Sequence, residues 1–462
     1  TLRPFSGEIG YIEKVPKTIG KIGKAFAEPI IPDSPIKSAG AELYADLAIE
    51  SAMNHLGLNS TSEAESADVI VLNSCVVRQS AEDRVVGNLT RLAPLKTKNP
   101  DLIFALMGCM VGPKSDALKK TFPHVDVFMR PQQFDPLIDL ISDRKNIDKE
   151  GCIGILEAKP AVATYVPIIH GCDKFCTFCI IPYRRGREKS RPPKELVKET
   201  EMLVRRGVKE ITLLGQNVDS YGHDLEGDID LGHLFEEIES VEELKRIRFL
   251  TSHPNDMSMH IIESIASLDK VCEHINLPIQ AGSNSVLYNM RRGYNRDQYL
   301  DKIQHIRDNI SNVSLSTDII VGFCGESDKD FDETLDIIKS VRFDKVHAAV
   351  YSNRPGTIAA RKFDNDVPEE VKRERFKALE DLQKQISTEI NQGYMHSIQD
   401  VLVEEVKGNR AKGRSRNDKI VHFEGGSNLI GEIVQVEINK TGAWSLQGSK
   451  VSTPESMVPL GV

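Results

Sequence analysis

Three cysteines stand within eight residues, Gly171-Cys172-Asp173-Lys174-Phe175-Cys176-Thr177-Phe178-Cys179, spaced C-x3-C-x2-C. A loop this tight can wrap three thiolates around one iron–sulfur cubane and leave the fourth iron without a protein ligand. That open iron is where a substrate or cofactor coordinates. Phe175 and Phe178 would shield the cluster and tune its potential. Two other readings use the same residues. A structural zinc site wants a fourth ligand, which His170 could supply, and free thiols are ordinary core residues. Position favours the cubane, because the triplet follows a strand signal near Tyr165, where a βα barrel opens its active face.

Two further cysteines follow short apolar runs, Cys75 after residues 69–73 and Cys109 after residues 103–107. Open parallel sheets bind ligands just past the carboxyl ends of their strands. The pair could therefore share a second metal centre, with buried structural cysteine as the alternative. Cys272 and Cys324 read as barrel core, and Cys152 lies in an interdomain segment.

The elements that must position these residues follow from hydrophobic spacing. Residues 41–56 and 80–95 have helical periodicity, and residues 68–73, 102–107 and 125–129 read as buried strands. Short apolar strands alternating with helices predict a parallel α/β sheet over 36–145. Strand signals then recur near Tyr165, Glu210, Ile247, His274, Val313 and Lys345, with helices at 194–205 and 328–341 between them. Six such units predict a partial (β/α)6 barrel over 155–392, ending in a long charged helix at 369–392. Residues 393–460 change to short strands punctuated by Gly413, Gly425, Gly426, Gly431 and Gly442, a small all-β barrel. Residues 1–35, with four prolines and no clean periodicity, read as a poorly ordered extension.

The chain has 462 residues, 8 cysteines and a net charge of -9, with 40% hydrophobic and 27% charged residues. This composition excludes collagen-like and wholly disordered chains. No uncharged apolar run reaches the ~18 residues of a membrane span, and the first residues lack the apolar core of a signal peptide. A cytoplasmic monomer is expected. The acidic balance argues against non-specific nucleic-acid binding by the whole surface, but two basic runs stand out against it. Arg184, Arg185 and Arg187 follow the cysteine loop, and Lys412, Arg414 and Arg416 lie in the carboxyl-terminal barrel. Both read as phosphate contacts, with a solvated charged face as the plainer alternative. Phe423 could stack on a base or fill the barrel core.

The cysteine triplet resembles the signature of the radical S-adenosylmethionine superfamily. Many ordered segments narrow the resemblance. They are Asn73-Ser74-Cys75-Val76-Val77-Arg78, Met107-Gly108-Cys109-Met110, Gly215-Gln216-Asn217-Val218-Asp219-Ser220-Tyr221-Gly222 and Ser252-His253-Pro254. Leu277-Pro278-Ile279-Gln280-Ala281-Gly282-Ser283, Met290-Arg291-Arg292-Gly293-Tyr294 and Tyr351-Ser352-Asn353-Arg354-Pro355-Gly356-Thr357 continue the series. From about residue 60 to 450 the chain resembles the MiaB-type tRNA methylthiotransferases, whose last module is a TRAM barrel.

The resemblance implies a 4Fe-4S cluster on Cys172, Cys176 and Cys179, and an auxiliary 4Fe-4S cluster involving Cys75 and Cys109. It implies S-adenosylmethionine both as methyl donor and as radical source. The implied reaction adds a methylthio group to C2 of N6-isopentenyladenosine beside the anticodon of tRNA. The implied partners are the tRNA anticodon stem-loop and an electron donor such as flavodoxin or ferredoxin. Gly322 and Gly325 would let the backbone approach the cofactor, and Asp318 and Glu326 would hold that strand and loop. Two departures stand out. The family has a proline where Cys324 stands, and it has a cysteine in a Gly-Cys-Gln-Met-Asn motif where residues 37–46 have none. A surrogate ligand, a thiolate from Cys152 or loss of sulfur insertion would each fit. The rival readings are methylthiolation of threonylcarbamoyladenosine or of a ribosomal protein, and an RNA-binding iron–sulfur protein without sulfur insertion.

Overall fold

The computed structural model describes residues 79–112, 115–130, 133–145 and 161–451, with residues 9–10, 21–26, 49, 52–53, 56, 58–61 and 63–74 before them. The first domain is a six-stranded sheet. Its strands are β1 (Ile9–Gly10), β2 (Lys21–Phe26), β3 (Asn59–Thr61), β4 (Val69–Ser74), β5 (Ile103–Gly108) and β6 (Val127–Met129). They run in the order β1-β2-β4-β5-β6, with β3 also on β2. The apolar runs of β4 and β5 are buried because both faces of the sheet are covered. Val69, Val71, Ile103 and Ala105 pack with Met53, Leu58 and helix α3 (Asp135–Lys145). Ile70, Leu72, Phe104 and Leu106 pack on the other side with Leu89 and Leu92 of helix α1 (Gln79–Lys98). Helix α2 (Asp116–Thr121) precedes β6.

The expected extension over 1–35 is corrected at β1 and β2. β2 pairs in parallel with β4, from Ile22 opposite Val69 to Phe26 opposite Asn73. A central strand such as β4 needs a partner on each edge, while Lys21, Gly23 and Lys24 interrupt the apolar pattern that would have announced one. Most of the helix expected at 41–56 lies outside the described residues.

The second domain holds six parallel strands in two sheets. β7 (Ala163–Pro167), β10 (Glu210–Leu214) and β11 (Arg246–Phe249) form one, and β12 (His274–Asn276), β13 (Ser314–Val321) and β14 (Lys345–Val350) form the other. A bridge between Ile247 and Val271 links them. This is the expected partial barrel. Its outer helices are α5 (Pro193–Arg205), α6 (Leu231–Glu239), α7 (Met259–Ser267), α9 (Arg296–Asn309) and α10 (Asp328–Val341). Shorter helices α4 (Ile181–Arg185), α8 (Asn284–Asn289) and α11 (Ile358–Lys362) sit in the connections, and α12 (Glu369–Gln392) leads out. Two short strands, β8 (Ile169–His170) and β9 (Lys189–Ser190), pair antiparallel and close the loop that carries the cysteine triplet.

The third domain is a closed barrel in the order β15-β16-β17-β19-β18. Its strands are β15 (Ile398–Lys407), β16 (Arg410–Arg414), β17 (Ile420–Glu424), β18 (Ile433–Thr441) and β19 (Leu446–Lys450). It docks on the amino-terminal end of the larger barrel. Arg246 donates to the carbonyls of Arg414 and Asp400, and Arg248 to those of Arg416 and Ser415, each at 2.7 Å. Both arginines are buried on β11, and Glu210 on β10 balances Arg248 at 2.9 Å. Contacts at the bottom of a βα barrel serve stability, while chemistry belongs to the opposite end.

Candidate iron–sulfur site

The cysteine loop leaves β8 at the carboxyl end of the first barrel strand. Gly171 turns it at a φ of 82°, and a Cβ there would lie 2.1 Å from the Arg187 carbonyl oxygen, so only glycine fits. Gln216, from the loop after β10, accepts the Gly171 N–H at 2.6 Å. Phe175 itself adopts a φ of 48°, a left-handed turn that tightens the loop. Thr177 anchors the second half, its N–H donating to the Met290 carbonyl and its hydroxyl to that of Asn289.

The three thiols converge. Burial pushes Cys172 up to about 12 and Cys179 up to about 11, and each also feels the charge of Cys176. Buried thiols crowded together resist ionisation unless a cation compensates, and this donor set fits an iron–sulfur cluster. Arg292 donates to Cys176 Sγ at 3.2 Å while its other nitrogens hold the Pro278 carbonyl and the Tyr294 hydroxyl. Lys174 pairs with Asp256 at 2.6 Å, and Asp256 also accepts from Asn217. Asp219 and His253 lie buried beside this network, with His253 N–H donating to Asp219 at 3.0 Å. Burial raises Asp219 to about 7 and, with Arg292 and Lys174 nearby, lowers His253 to about 2. Arg292, Asn217 and His253 occur in the segments that carried the family resemblance, but spacing alone assigned them no contact.

Cys109 reaches the same end of the barrel from the first domain. It follows Gly108, whose φ of 103° would drive a Cβ to 2.4 Å from the Ser74 carbonyl oxygen. Ser74 Oγ donates to Met107 O and accepts from Met110 N–H, fixing the turn. Arg185 of α4 places Nη2 2.6 Å and Nε 3.0 Å from Cys109 Sγ. Beside it, Glu82 at the start of α1 bridges Arg184 at 3.2 Å and Arg354 at 3.1 Å. The two domains therefore meet over the cysteine loop. Cys75 and Cys152 lie outside the described residues.

Several expected RNA contacts are corrected. Arg185 is buried on Cys109, and Arg184 is held by Glu82, so both serve the domain junction. Arg416 binds Glu273 and the carbonyls of Asp269 and Val271, which docks the small barrel. Arg414 is neutralised by Glu404 at 3.1 Å and Asp418 at 2.7 Å. Phe423 is buried in the small barrel's core with Val401 and Val436. Arg187, with a side chain 79% exposed, and Lys412 remain on the surface. A basic residue's count in the sequence cannot reveal which carboxylates and carbonyls the fold will bring to it.

The cofactor-loop residues also divide. Glu326 accepts the Gly322 N–H at 2.6 Å and an Arg375 N–H at 2.8 Å, bracing the loop. Asp318 lies on β13 with Asn276 at 3.4 Å. At Gly322, where φ is 71°, a Cβ would meet Lys372 of α12 at 2.3 Å, so α12 packs directly against this turn. Gly325 has open space at its Cβ position. Cys272 and Cys324 are buried.

Family models match in the same order as the domains. The Uncharacterized protein family UPF0004 covers residues 43–130, the Radical SAM superfamily 166–338 and the TRAM domain 394–451. The tRNA-2-methylthio-N(6)-dimethylallyladenosine synthase of Clostridium botulinum (strain Hall) is 44% identical over 411 residues, 86% of this chain and 91% of that protein. The chain belongs to this family. A second synthase, from Thermoanaerobacter pseudethanolicus, is 42% identical over 418 residues, 86% of this chain and 88% of its own length. Among solved structures, the radical S-adenosylmethionine methyltransferase TsrM from Kitasatospora setae matches with a TM-score of 0.53. At 11% identity over 85% of this chain and 76% of that one, it supports the synthase fold alone. No helix among the described residues is long and apolar enough to cross a membrane.

Proposed function

We propose that this synthase adds a methylthio group to C2 of N6-dimethylallyladenosine beside the anticodon of tRNA. The observation that carries the reading is the junction over the cysteine loop, where Cys109 and the triplet face the same barrel end through adjoining elements α4 and β8. Cys172, Cys176 and Cys179 hold one 4Fe-4S cluster, and Cys75 and Cys109 contribute to the second. When bound, the first cluster supplies the electron that cleaves S-adenosylmethionine, and the second carries the sulfur.

The chain's own residues orient and exclude water. Arg292 steadies Cys176 from within the barrel, and Arg185 presents two N–H donors to Cys109, a geometry suited to a thiolate. Gln216 holds the loop entry, and Lys174 with Asp256 keeps the cysteine loop against the loop after β10. The buried aromatic and apolar barrel shields a reactive intermediate from solvent. The TRAM hairpin β15–β16, with Lys407, Arg410 and Lys412 on its surface, supplies electrostatic contact to the anticodon stem-loop. The protein acts as a cytoplasmic monomer that takes electrons from a flavodoxin or ferredoxin. The family names of the relatives favour this substrate over threonylcarbamoyladenosine or a ribosomal protein.

The test is nucleoside mass spectrometry of tRNA from a host that lacks its own adenosine methylthiotransferase and carries this gene. A methylthio adduct on isopentenyladenosine is expected, and it should vanish in the Cys172→Ala/Cys176→Ala/Cys179→Ala variant. Iron-loaded protein that leaves the nucleoside unmodified would refute the activity and point to the absent first cysteine.

A further inference from the structure

The outer wall of the barrel carries a second group of ligand-type side chains. Asp230 caps α6 and accepts the His233 N–H at 3.1 Å. The same Oδ1 atom lies 2.8 Å from His233 Nδ1 and 2.9 Å from His260 Nδ1, which comes from the first turn of α7. One ligand atom from each residue lies within 4.8 Å of the others, and the two rings are 4.5 Å apart at their centroids.

Three features make this more than a helix cap. First, His233 Nδ1 faces the Asp230 backbone N–H at 3.4 Å, which needs a lone pair, and the Asp230 carboxylate at 2.8 Å, which needs a proton. One ring nitrogen cannot serve both. A cation on the Nδ1 lone pair and the carboxylate takes the place of the proton between them. Second, His260 turns its other nitrogen to Glu236 Oε1 at 3.4 Å, the carboxylate–imidazole arrangement that orients metal-bound histidines. Third, a Cβ on Gly232 would come within 2.7 Å of His260 Nδ1, so α6 is bare where the imidazole of α7 crosses it.

We propose that Asp230, His233 and His260 bind a divalent cation of the zinc class, with water completing a four-coordinate shell. Two imidazoles and one carboxylate suit zinc, cobalt or nickel better than magnesium or calcium. Ligands about 2.1 Å from a tetrahedral zinc stand roughly 3.4 Å apart, so modest opening of the hydrogen-bonded distances admits the ion. Because α6 and α7 are the helices that follow β10 and β11, the ion would pin together the starts of two neighbouring barrel helices.

The experiment uses the full chain with its iron–sulfur sites reconstituted anaerobically, dialysed against chelator-buffered Zn2+, with zinc and iron counted together by mass spectrometry. About one zinc per chain is expected in addition to the iron. The exposed-side variant His233→Ala and the double variant His233→Ala/His260→Ala should lose it with iron unchanged, and Glu236→Gln should weaken it about tenfold. X-ray absorption at the zinc edge should show a nitrogen and oxygen shell. Absence of retained zinc, zinc that persists in the double variant, or a sulfur shell would overturn the site.

Discussion

Replacing Arg416 by Ala separates domain docking from RNA contact. The side chain makes two bonds to backbone carbonyls, to Asp269 at 2.7 Å and Val271 at 2.6 Å. It also grips Glu273 through Nε at 2.8 Å and Nη2 at 2.7 Å. The carbonyl bonds contribute about 1 kcal/mol each and the partly shielded ion pair about 1 more, so the loss is about 3 kcal/mol. Trp444 is the chain's only tryptophan and lies between β18 and β19, 59% exposed, so its fluorescence follows the small barrel. The urea midpoint read from Trp444 should fall by roughly 1–3 M. The salt dependence of tRNA binding by the undenatured variant should keep its slope. Lys412→Ala should do the reverse, with unchanged unfolding and a slope smaller by about one. If Arg416→Ala leaves stability within about 0.5 kcal/mol and flattens the salt slope, the docking argument fails.

Arg292→Met removes the N–H at Cys176 Sγ and a positive charge that favours the reduced cluster. Its potential in redox-titrated EPR should therefore fall, by roughly 60–130 mV if the bond contributes about 1.5–3 kcal/mol; an unchanged potential would count against the contact. Asp219 is raised to about 7 by burial, so the folded state binds its proton more tightly than the unfolded chain. Stability should then decline as pH rises from about 4 to 7, by at most about 1.4 kcal/mol per pH unit from this group. Asp219→Asn should flatten that segment of the denaturation profile, and a parallel profile in the variant would refute the assignment. Gly171→Ala forces a Cβ to 2.1 Å from a backbone oxygen at a φ of 82°. It should abolish iron retention by the cysteine loop, whereas full iron loading by colorimetric assay would show that the turn is dispensable.

Local pattern and motif spacing determined much of this protein. The apolar runs at 69–74 and 103–108 are strands because helices cover both faces, and the six barrel strands begin within two residues of their sequence signals. The helices at 328–341 and 369–392 have the predicted bounds because their caps and periodicity are local. The cysteine triplet and the Met290–Tyr294 segment were likewise visible as chemistry before any fold was known. Pairing across long separations was not. β2 joins the sheet through backbone hydrogen bonds that its interrupted side-chain pattern does not advertise. Arg185, Arg414 and Arg416 carry the same charge as any RNA-binding arginine, and only the fold decides that they face a thiol, two carboxylates and a docking surface. Phe423 was decided in the same way, by the core neighbours that fill the space around it. Residue type sets what a side chain can do; the groups the fold brings to it set what it does, whether 4 residues away at Arg414, 76 at Arg185 or 147 at Arg416.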